Sequence, residues 1–361
     1  MPVVDMTEGL SPREYTVGLE DGGNVTYTLR GLAEEEVKPC WTTFCASIFA
    51  YKTNPPPPEY FERHYFNDPL RKASLIRVAL TSGENPQIVA SCGVFQRQIS
   101  NGSGGMLLAG GIGEVCTTDS HRRRGLVKEL LLDCIELMSK CGMSVSILHA
   151  APAFFPVYQK MGYECTISRW SSVDVVATPS EMDHSWTCRE AVFPDDTKST
   201  MAMHQSFSER KFAGCLIRSE SYWNNYLSVE LNGTFFVLAD PTTNKVVAWL
   251  SLRSRGDRWQ LRDFCYEPRE KCTLSGAFRR LLVKALASSG GASLTQLHLP
   301  TFLVDQLKKE GVASASDQEW IAWDTLTEEN DEGWMYRPLG DNDFSMANAE
   351  SPHLIWPADS F

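Results

Sequence analysis

The sequence predicts an α/β fold in two successive units, and three observations carry that expectation. Its 361 residues amount to about two domains at roughly 150 residues each. A strand–helix–strand–helix order between Gly113 and Gly162 implies a parallel strand pair joined by a crossover helix. A similar order of elements recurs beyond about Asp196, without a residue-level repeat. Apolar residues, 43% of the chain, are enough for two packed cores.

Each element has its own signal. Asn24 to Leu29 alternates as a strand does. Val37, Trp41, Phe44, Cys45 and Ile48 fall three and four apart, a helical stripe closed by the proline run Pro55 to Pro58. Leu75 to Leu80 and Gln87 to Phe95 are strands joined by a turn at Ser82 to Pro86. Asn101 to Gly113 is dense in glycine and is expected to be a mobile connection. Gly113 to Thr117 is a strand, and Val127, Leu130, Leu131, Cys134, Ile135 and Met138 mark an amphipathic helix that Gly142 stops. Ser144 to His149 is a strand, followed by a short helix opened by Pro156 and ended by Gly162.

Pro179 to Asp196 is expected to be a linker. Beyond it come a helix near Met203 and strands at Phe235 to Ala239, Val246 to Leu252 and Trp259 to Tyr266. A helix Gly276 to Ala287, a strand Leu294 to Leu299 and a helix Phe302 to Lys309 complete the second unit.

Acidic residues outnumber basic ones, 45 to 34, for a net charge of −11. That balance disfavours nucleic acid and anionic membranes and suits small cationic partners. No run approaches the ~20 apolar residues of a membrane helix. Met1 to Asp5 shows no basic leader, so a cytoplasmic location is expected. The 11 cysteines include no CxxC pair and read as reduced core residues. The seven histidines include no HxxxH pair and do not cluster with cysteine. No metal site is expected.

The chemistry concentrates at Arg122-Arg123-Arg124-Gly125-Leu126, at a helix start. A helix N-terminus carries about +0.5 charge, so three arginines there are unfavourable unless an anion joins them. Free amides, the helix dipole and guanidinium groups together would suit a phosphate, and Gly125 would let it approach closely. A solvated basic turn is the plainer alternative.

The strand Val115-Cys116-Thr117, the turn, Arg122-x-x-Gly125 and the helix behind them resemble motif A of the GNAT superfamily of N-acetyltransferases. Tyr158-x-x-x-Gly162-Tyr163 resembles that family's second signature. The order of elements, with His121 to Leu126 and the segment Ser219 to Trp223, is similar to tandem GNAT chains of the enhanced intracellular survival (Eis) type. The resemblance implies two tandem GNAT-like domains, each a mixed central sheet flanked by helices. They would span residues 14–178, catalytic, and 196–340, followed by a tail at 341–361. The second domain would be degenerate, because Tyr266 to Leu274 lacks the Arg-x-x-Gly loop. Val127 departs from the usual small residue, and the chain has no room for the third, sterol-carrier-like domain of Eis-type enzymes.

By the same resemblance, Val115, Cys116 and Thr117 would bind the pantetheine arm of acetyl-coenzyme A. Arg122, Arg123, Arg124, Gly125, Leu126 and Val127 would hold its pyrophosphate, and Ala153 and Phe154 would either flank it or simply pack the core. Tyr158 is the candidate general acid, since phenol and thiol have neighbouring reference pKa values, ~10 and ~8.5. Phe361 would supply a C-terminal carboxylate as base, or its tail would merely pack on the second half. Glu114 would bind or deprotonate the amine, or be an ordinary strand-edge carboxylate.

The expected activity is acetyl-CoA-dependent N-acetylation of a primary amine by direct attack. The acceptor would be a small cationic amine or a lysine side chain; fungal lysine N6-acetyltransferases share the paired architecture, which adds free lysine. The alternative is a non-catalytic acyl-CoA-binding scaffold or sensor. A homo-oligomer is left open.

Overall fold

In the computed structural model the described residues are 9–20, 22–51, 55–176, 186–270, 272–290, 294–313, 320–340, 346 and 351–359. The first sheet begins with β1 (Arg13–Gly18), β2 (Asn24–Gly31), β3 (Ile76–Thr81), β4 (Ile88–Asn101), β5 (Met106–Thr117) and β6 (Val145–His149), each beside the one before. All of these pairs are antiparallel except β5 with β6, which run parallel. The helix Leu126–Lys140 makes the crossover between them.

After the two-residue β7 (Glu164–Cys165) the chain leaves this sheet. The strands β8 (Trp170–Val176), β9 (Thr187–Glu190), β10 (Ala213–Leu216), β11 (Phe235–Ala239), β12 (Val246–Arg255), β13 (Arg258–Tyr266), β14 (Leu294–Pro300), β15 (Ile321–Glu328) and β16 (Trp334–Pro338) follow. The second sheet runs β15-β8-β14-β13-β12-β11-β9. Its one parallel pair, β13 with β14, is again bridged by a helix, Leu274–Ser288. Two mixed α/β units of the same plan are therefore present, as the sequence predicts.

The sheets do not divide the chain where the predicted boundaries do. β8 lies before residue 178 yet pairs β14 and β15 in the second sheet. β16 lies within 196–340 yet inserts between β6 and β7 of the first sheet. β10 also crosses over, to the far end of β4. Backbone pairing thus ties the units together in both directions. Part of the expected linker is structured as well: β9 pairs β11, while residues 177–185 lie outside the described set.

The tail joins the core rather than hanging from it. Leu354, Ile355, Trp356 and Ala358 are buried, and the Trp356 indole donates to Ser208 Oγ at 3.0 Å. Asp359 accepts from the buried Arg218 at 2.7 and 2.9 Å, and Arg218 also donates to Asp263 at 2.6 Å. The guanidinium lies 4.8 Å from the Trp223 ring.

The Leu126–Lys140 helix lies on one face of the first sheet. It turns Leu126, Leu130, Leu131, Cys134, Leu137 and Met138 onto Cys92, Val94 and Ile112. One charge sits on that buried face: Asp133 accepts from Arg77 Nη2 at 3.0 Å and Arg13 Nε at 2.9 Å. Removing one partner of such a buried pair costs several kcal/mol, so Asp133 fixes the helix to β1 and β3. The opposite face is covered by helical residues 34–48 and the helix Pro58–Phe66, whose Trp41, Phe61 and Tyr65 pack over Ile76, Val78 and Leu80. Pro39 lies in the widened turn Val37–Thr42 of the first of these, where its missing N–H is accommodated.

The glycine-dense stretch from Asn101 to Gly113 is not a mobile connection. Only its start turns, with Asn101 Oδ1 accepting from the amides of Ser103 and Gly105 at 2.9 and 2.8 Å. From Met106 it is β5. The glycines there serve close packing: a Cβ on Gly110 would overlap the Met138 side chain and lie 2.9 Å from Met143 Sδ. Composition alone does not distinguish a loose glycine segment from a strand against which a helix packs this closely. Gly110→Ala is expected to lower stability by about 1–3 kcal/mol through overpacking. An unchanged denaturant midpoint would remove this explanation.

Candidate active site

The parallel pairing of β5 with β6 runs from Ala109↔Val145 to Ile112↔Leu148 and then stops. β5 continues to Thr117 with β4 as its partner, Ser91 opposite Cys116 and Ala90 opposite Thr117. Between Gly113 and Cys116 the register with β4 shifts, and Glu114 there adopts φ +50°. This is a β-bulge at a non-glycine residue, a strained conformation that proteins place where backbone must be re-aimed. Beyond Ile112 the β6-facing edge of β5 lacks its strand partner. Backbone donors and acceptors so exposed favour an extended ligand that can complete the ladder.

The predicted phosphate loop opens beside this gap. Arg123 has φ +61° and Gly125 has φ +78°, and Gly125 caps the Leu126–Lys140 helix without a side-chain cap bond. The amides of the helix's first turn have no intrahelical acceptor and carry the positive end of its dipole. A Cβ on Gly125 would come within 2.7 Å of the Tyr15 hydroxyl oxygen. That hydroxyl donates to the Arg124 carbonyl at 3.0 Å, pinning the loop to β1.

The three guanidinium groups do not share one role. Arg124 turns inward, donating to the Tyr27 hydroxyl at 2.5 Å, with His121 Nδ1 2.8 Å from that oxygen. Burial, and then the Arg124 charge, lower the His121 pKa and keep its ring neutral. Arg122 pairs with the exposed Asp119 at 2.8 Å. Only Arg123 is exposed without a side-chain partner among the described residues. The expectation of three arginines aimed at one anion is thereby corrected: one is free, one is salt-bridged, one braces the loop. Leu126 is buried and Val127 is half-buried.

The second unit answers the same local problem differently. Its crossover helix, Leu274–Ser288, is capped by Thr273, which accepts from the Gly276 amide at 3.0 Å. The Glu310 carboxylate accepts from the amides of Leu274 and Ser275 at 3.0 and 2.8 Å. This N-terminus already holds an anion, supplied by its own chain.

Tyr158 lies on the short helix Phe155–Gln159 with its ring edge-on to Tyr163, centroids 5.9 Å apart. Its hydroxyl has no hydrogen-bond partner among the described residues, and burial raises its pKa above the ordinary phenol value. It therefore stays protonated through neutral pH. Ala153 and Phe154 are exposed, Phe154 at 58%, so core packing does not account for them. Val115 is half-buried toward the crossover helix. Cys116 packs among the helices on the other face, and Thr117 keeps a buried hydroxyl with no partner. Phe361 lies outside the described residues. Among those residues no group of three or more His, Cys, Asp or Glu could hold a metal, and no helix is long and apolar enough to cross a membrane.

Sequence reading missed the polar contact on the opposite face, where the helix Pro58–Phe66 meets the second unit through His64, Arg63 and Glu230. The Tyr60 pKa is pushed up to about 12 by burial and by the charges of Glu114 and Glu230, with Arg253 and Arg63 opposing. Glu230 accepts from Arg262 at 2.5 Å and lies 3.3 Å from His64 Nε2 and 3.6 Å from Arg63. These residues come from four separate stretches of chain, so no spacing announces them.

Residues 28–166 match the family model described as an acetyltransferase (GNAT) domain. A GCN5-related N-acetyltransferase from Anabaena variabilis ATCC 29413 shares the fold at 14% identity and a TM-score of 0.59, over 87% of this chain and 73% of that one. One from Kribbella flavida does so at 14% identity and a TM-score of 0.58, over 87% and 71%. Eis1 from Mycobacterium abscessus is similar at 12% identity and a TM-score of 0.54, over 86% and 73%. Identities this low establish a common fold. No curated protein matches the chain.

Glu230 yields a pH prediction. Burial alone would raise its carboxyl, but His64 and Arg262 outweigh it and hold the pKa at about 2, against 4.5 for a free side chain. Its contribution to stability is complete above pH 4.5 and is lost as pH falls toward 2. Acid titration followed by tryptophan fluorescence should show a transition in this window that Glu230→Gln flattens. A variant with the wild-type acid profile would contradict the assignment.

Proposed function

We propose that this chain, with its GNAT domain, is an acetyl-CoA-dependent N-acetyltransferase that acts on a primary amine by direct attack. One observation carries the reading: β5 parts from β6 after Ile112 and runs toward a helix N-terminus that has no side-chain cap, while the matching helix of the second unit is plugged by Glu310. An amide-bearing arm ending in a diphosphate is the ligand that such a pair of features suits.

In this reading Val115, Cys116 and Thr117 offer backbone partners to the pantetheine arm. The loop from Arg122 to Val127 receives the pyrophosphate, with Arg123 as the free charge and Arg124 as the brace. Ala153 and Phe154 give an apolar wall. An amide of the bulged strand polarises the thioester carbonyl and stabilises the oxyanion as the amine adds. Glu114 holds the acceptor's ammonium and takes its proton, so that the neutral nitrogen can form the new C–N bond. As the C–S bond breaks, Tyr158 transfers its proton to the departing sulfur, and the second proton that the acylated nitrogen gives up restores the phenol. The product is an amide plus free thiol. The raised Tyr158 pKa keeps that proton in place until the thiolate forms.

Thiol release from acetyl-CoA over a panel of amines, with acetyl-CoA binding measured in parallel, tests the reading. Turnover with at least one amine is expected. Binding without turnover on any amine would favour a non-catalytic acyl-CoA sensor, and absence of binding near saturation would overturn both. Tyr158→Phe is expected to lower turnover about 10²–10⁴-fold with little change in acetyl-CoA affinity. An unaltered rate would exclude Tyr158 as the acid.

A further inference from the structure

The β12–β13 hairpin of the second unit carries four arginines within ten residues, Arg253, Arg255, Arg258 and Arg262, in a chain whose net charge is −11. Two are neutralised: Arg258 by Glu329 at 2.5 Å and Arg262 by Glu230 at 2.5 Å. Arg255 is exposed to water. Arg253 is different. Across the ladder it faces Gln260, and its Nε donates to the neutral Gln260 Oε1 at 2.9 Å. Neither of its Nη groups has a hydrogen-bond partner among the described residues, and no carboxylate lies within ion-pair distance.

Its surroundings make this arrangement costly as it stands. Arg253 is half-buried, and Arg255 and Arg262 add like charge; burial first, then these neighbours, bring its pKa down to about 9. Glu230, the carboxylate that acts on Arg253, is already engaged by Arg262, His64 and Arg63. Near Arg253 on the first unit is Tyr60, whose hydroxyl has no hydrogen-bond partner among the described residues and which senses the charges of Glu114, Glu230 and Arg253 together. A guanidinium with two free donor pairs, beside a protonated phenol, is a fork shaped for a carboxylate.

We propose that Arg253 binds a carboxylate of the acceptor, so that the substrate is an amine that also carries a carboxylate, such as an amino acid, with its amine toward Glu114. The inference rests on the acetyl-transfer reading and narrows its acceptor. Among the expected acceptors it favours those, such as free lysine, that join a carboxylate to the amine: Arg253 and Glu114 supply opposite charges on either hand of Tyr60.

The test measures kcat/KM for thiol release by the full chain with amines matched except for the carboxylate: lysine against cadaverine, ornithine against putrescine, 4-aminobutyrate against propylamine. The wild type is expected to prefer a carboxylate-bearing member by at least about tenfold. Arg253→Gln should raise KM for that member about 10- to 100-fold, the loss of a charged hydrogen-bonding partner, with a much smaller effect on its pair. Arg253→Lys should fall between. The readout is a ratio within one preparation, so partial misfolding of a variant cancels. Equal use of both members, preference for the plain amine, equal losses on both in Arg253→Gln, or no turnover of any carboxylate-bearing amine would each overturn the proposal. Acetyl-CoA binding by calorimetry on the same samples separates the two levels. Binding with turnover of plain amines alone sinks the carboxylate anchor and leaves acetyl transfer standing, whereas no binding sinks both.

Discussion

Two parallel strands that begin paired and then part are the constraint on which the site depends. After Ile112↔Leu148 the ladder ends, while β5 runs on and bulges at Glu114. β6 is held on its other edge by β16, from Trp334↔His149 to Pro338↔Val145. It therefore cannot follow β5. An edge that has parted from its strand partner suits an extended amide ligand that can resume the ladder. The positions of the loop at Gly125, of Tyr158 and of Glu114 all have meaning relative to that edge.

The two units show how one topology is kept open in one place and closed in another. Both have a parallel pair, a crossover helix and an amide-rich helix start. In the first, a left-handed glycine stands at the cap and Tyr15 and Tyr27 brace the loop from β1 and β2. In the second, Thr273 and Glu310 satisfy the same donors. The second unit instead brings Glu230, with Arg262 behind it, against His64 and Arg63 of the helix Pro58–Phe66.

That contact needs the units fixed against each other, and backbone pairing across the two sheets does this. β8, β10 and β16 each sit in the sheet of the other half. The buried Arg218–Asp263–Asp359 cluster adds the tail to the same core. Breaking one member would leave an uncompensated charge away from water. The groups proposed to hold the acceptor's amine and carboxylate, Glu114 and Arg253, thus come from separate parts of the chain yet share one frame.

The sequence by itself determined what depends on neighbours a few residues apart. The crossover helix, its stop at Gly142, the Arg122–Gly125 turn and the tyrosine before Gly162 are all local patterns, and they gave the fold class and the candidate phosphate loop. Tertiary structure alone decided which way each arginine of that loop points, because Tyr27 and His121 claim Arg124 from elsewhere. It decided that the glycines from Gly110 onward form a strand, because Met138 packs against them from a helix nearly thirty residues on. It also decided the contact of Glu230 with His64 and Arg63, the plugged second helix and the exchanged strands. Their partners lie far apart in the chain, and a contact of that kind leaves no period or spacing in the amino-acid order.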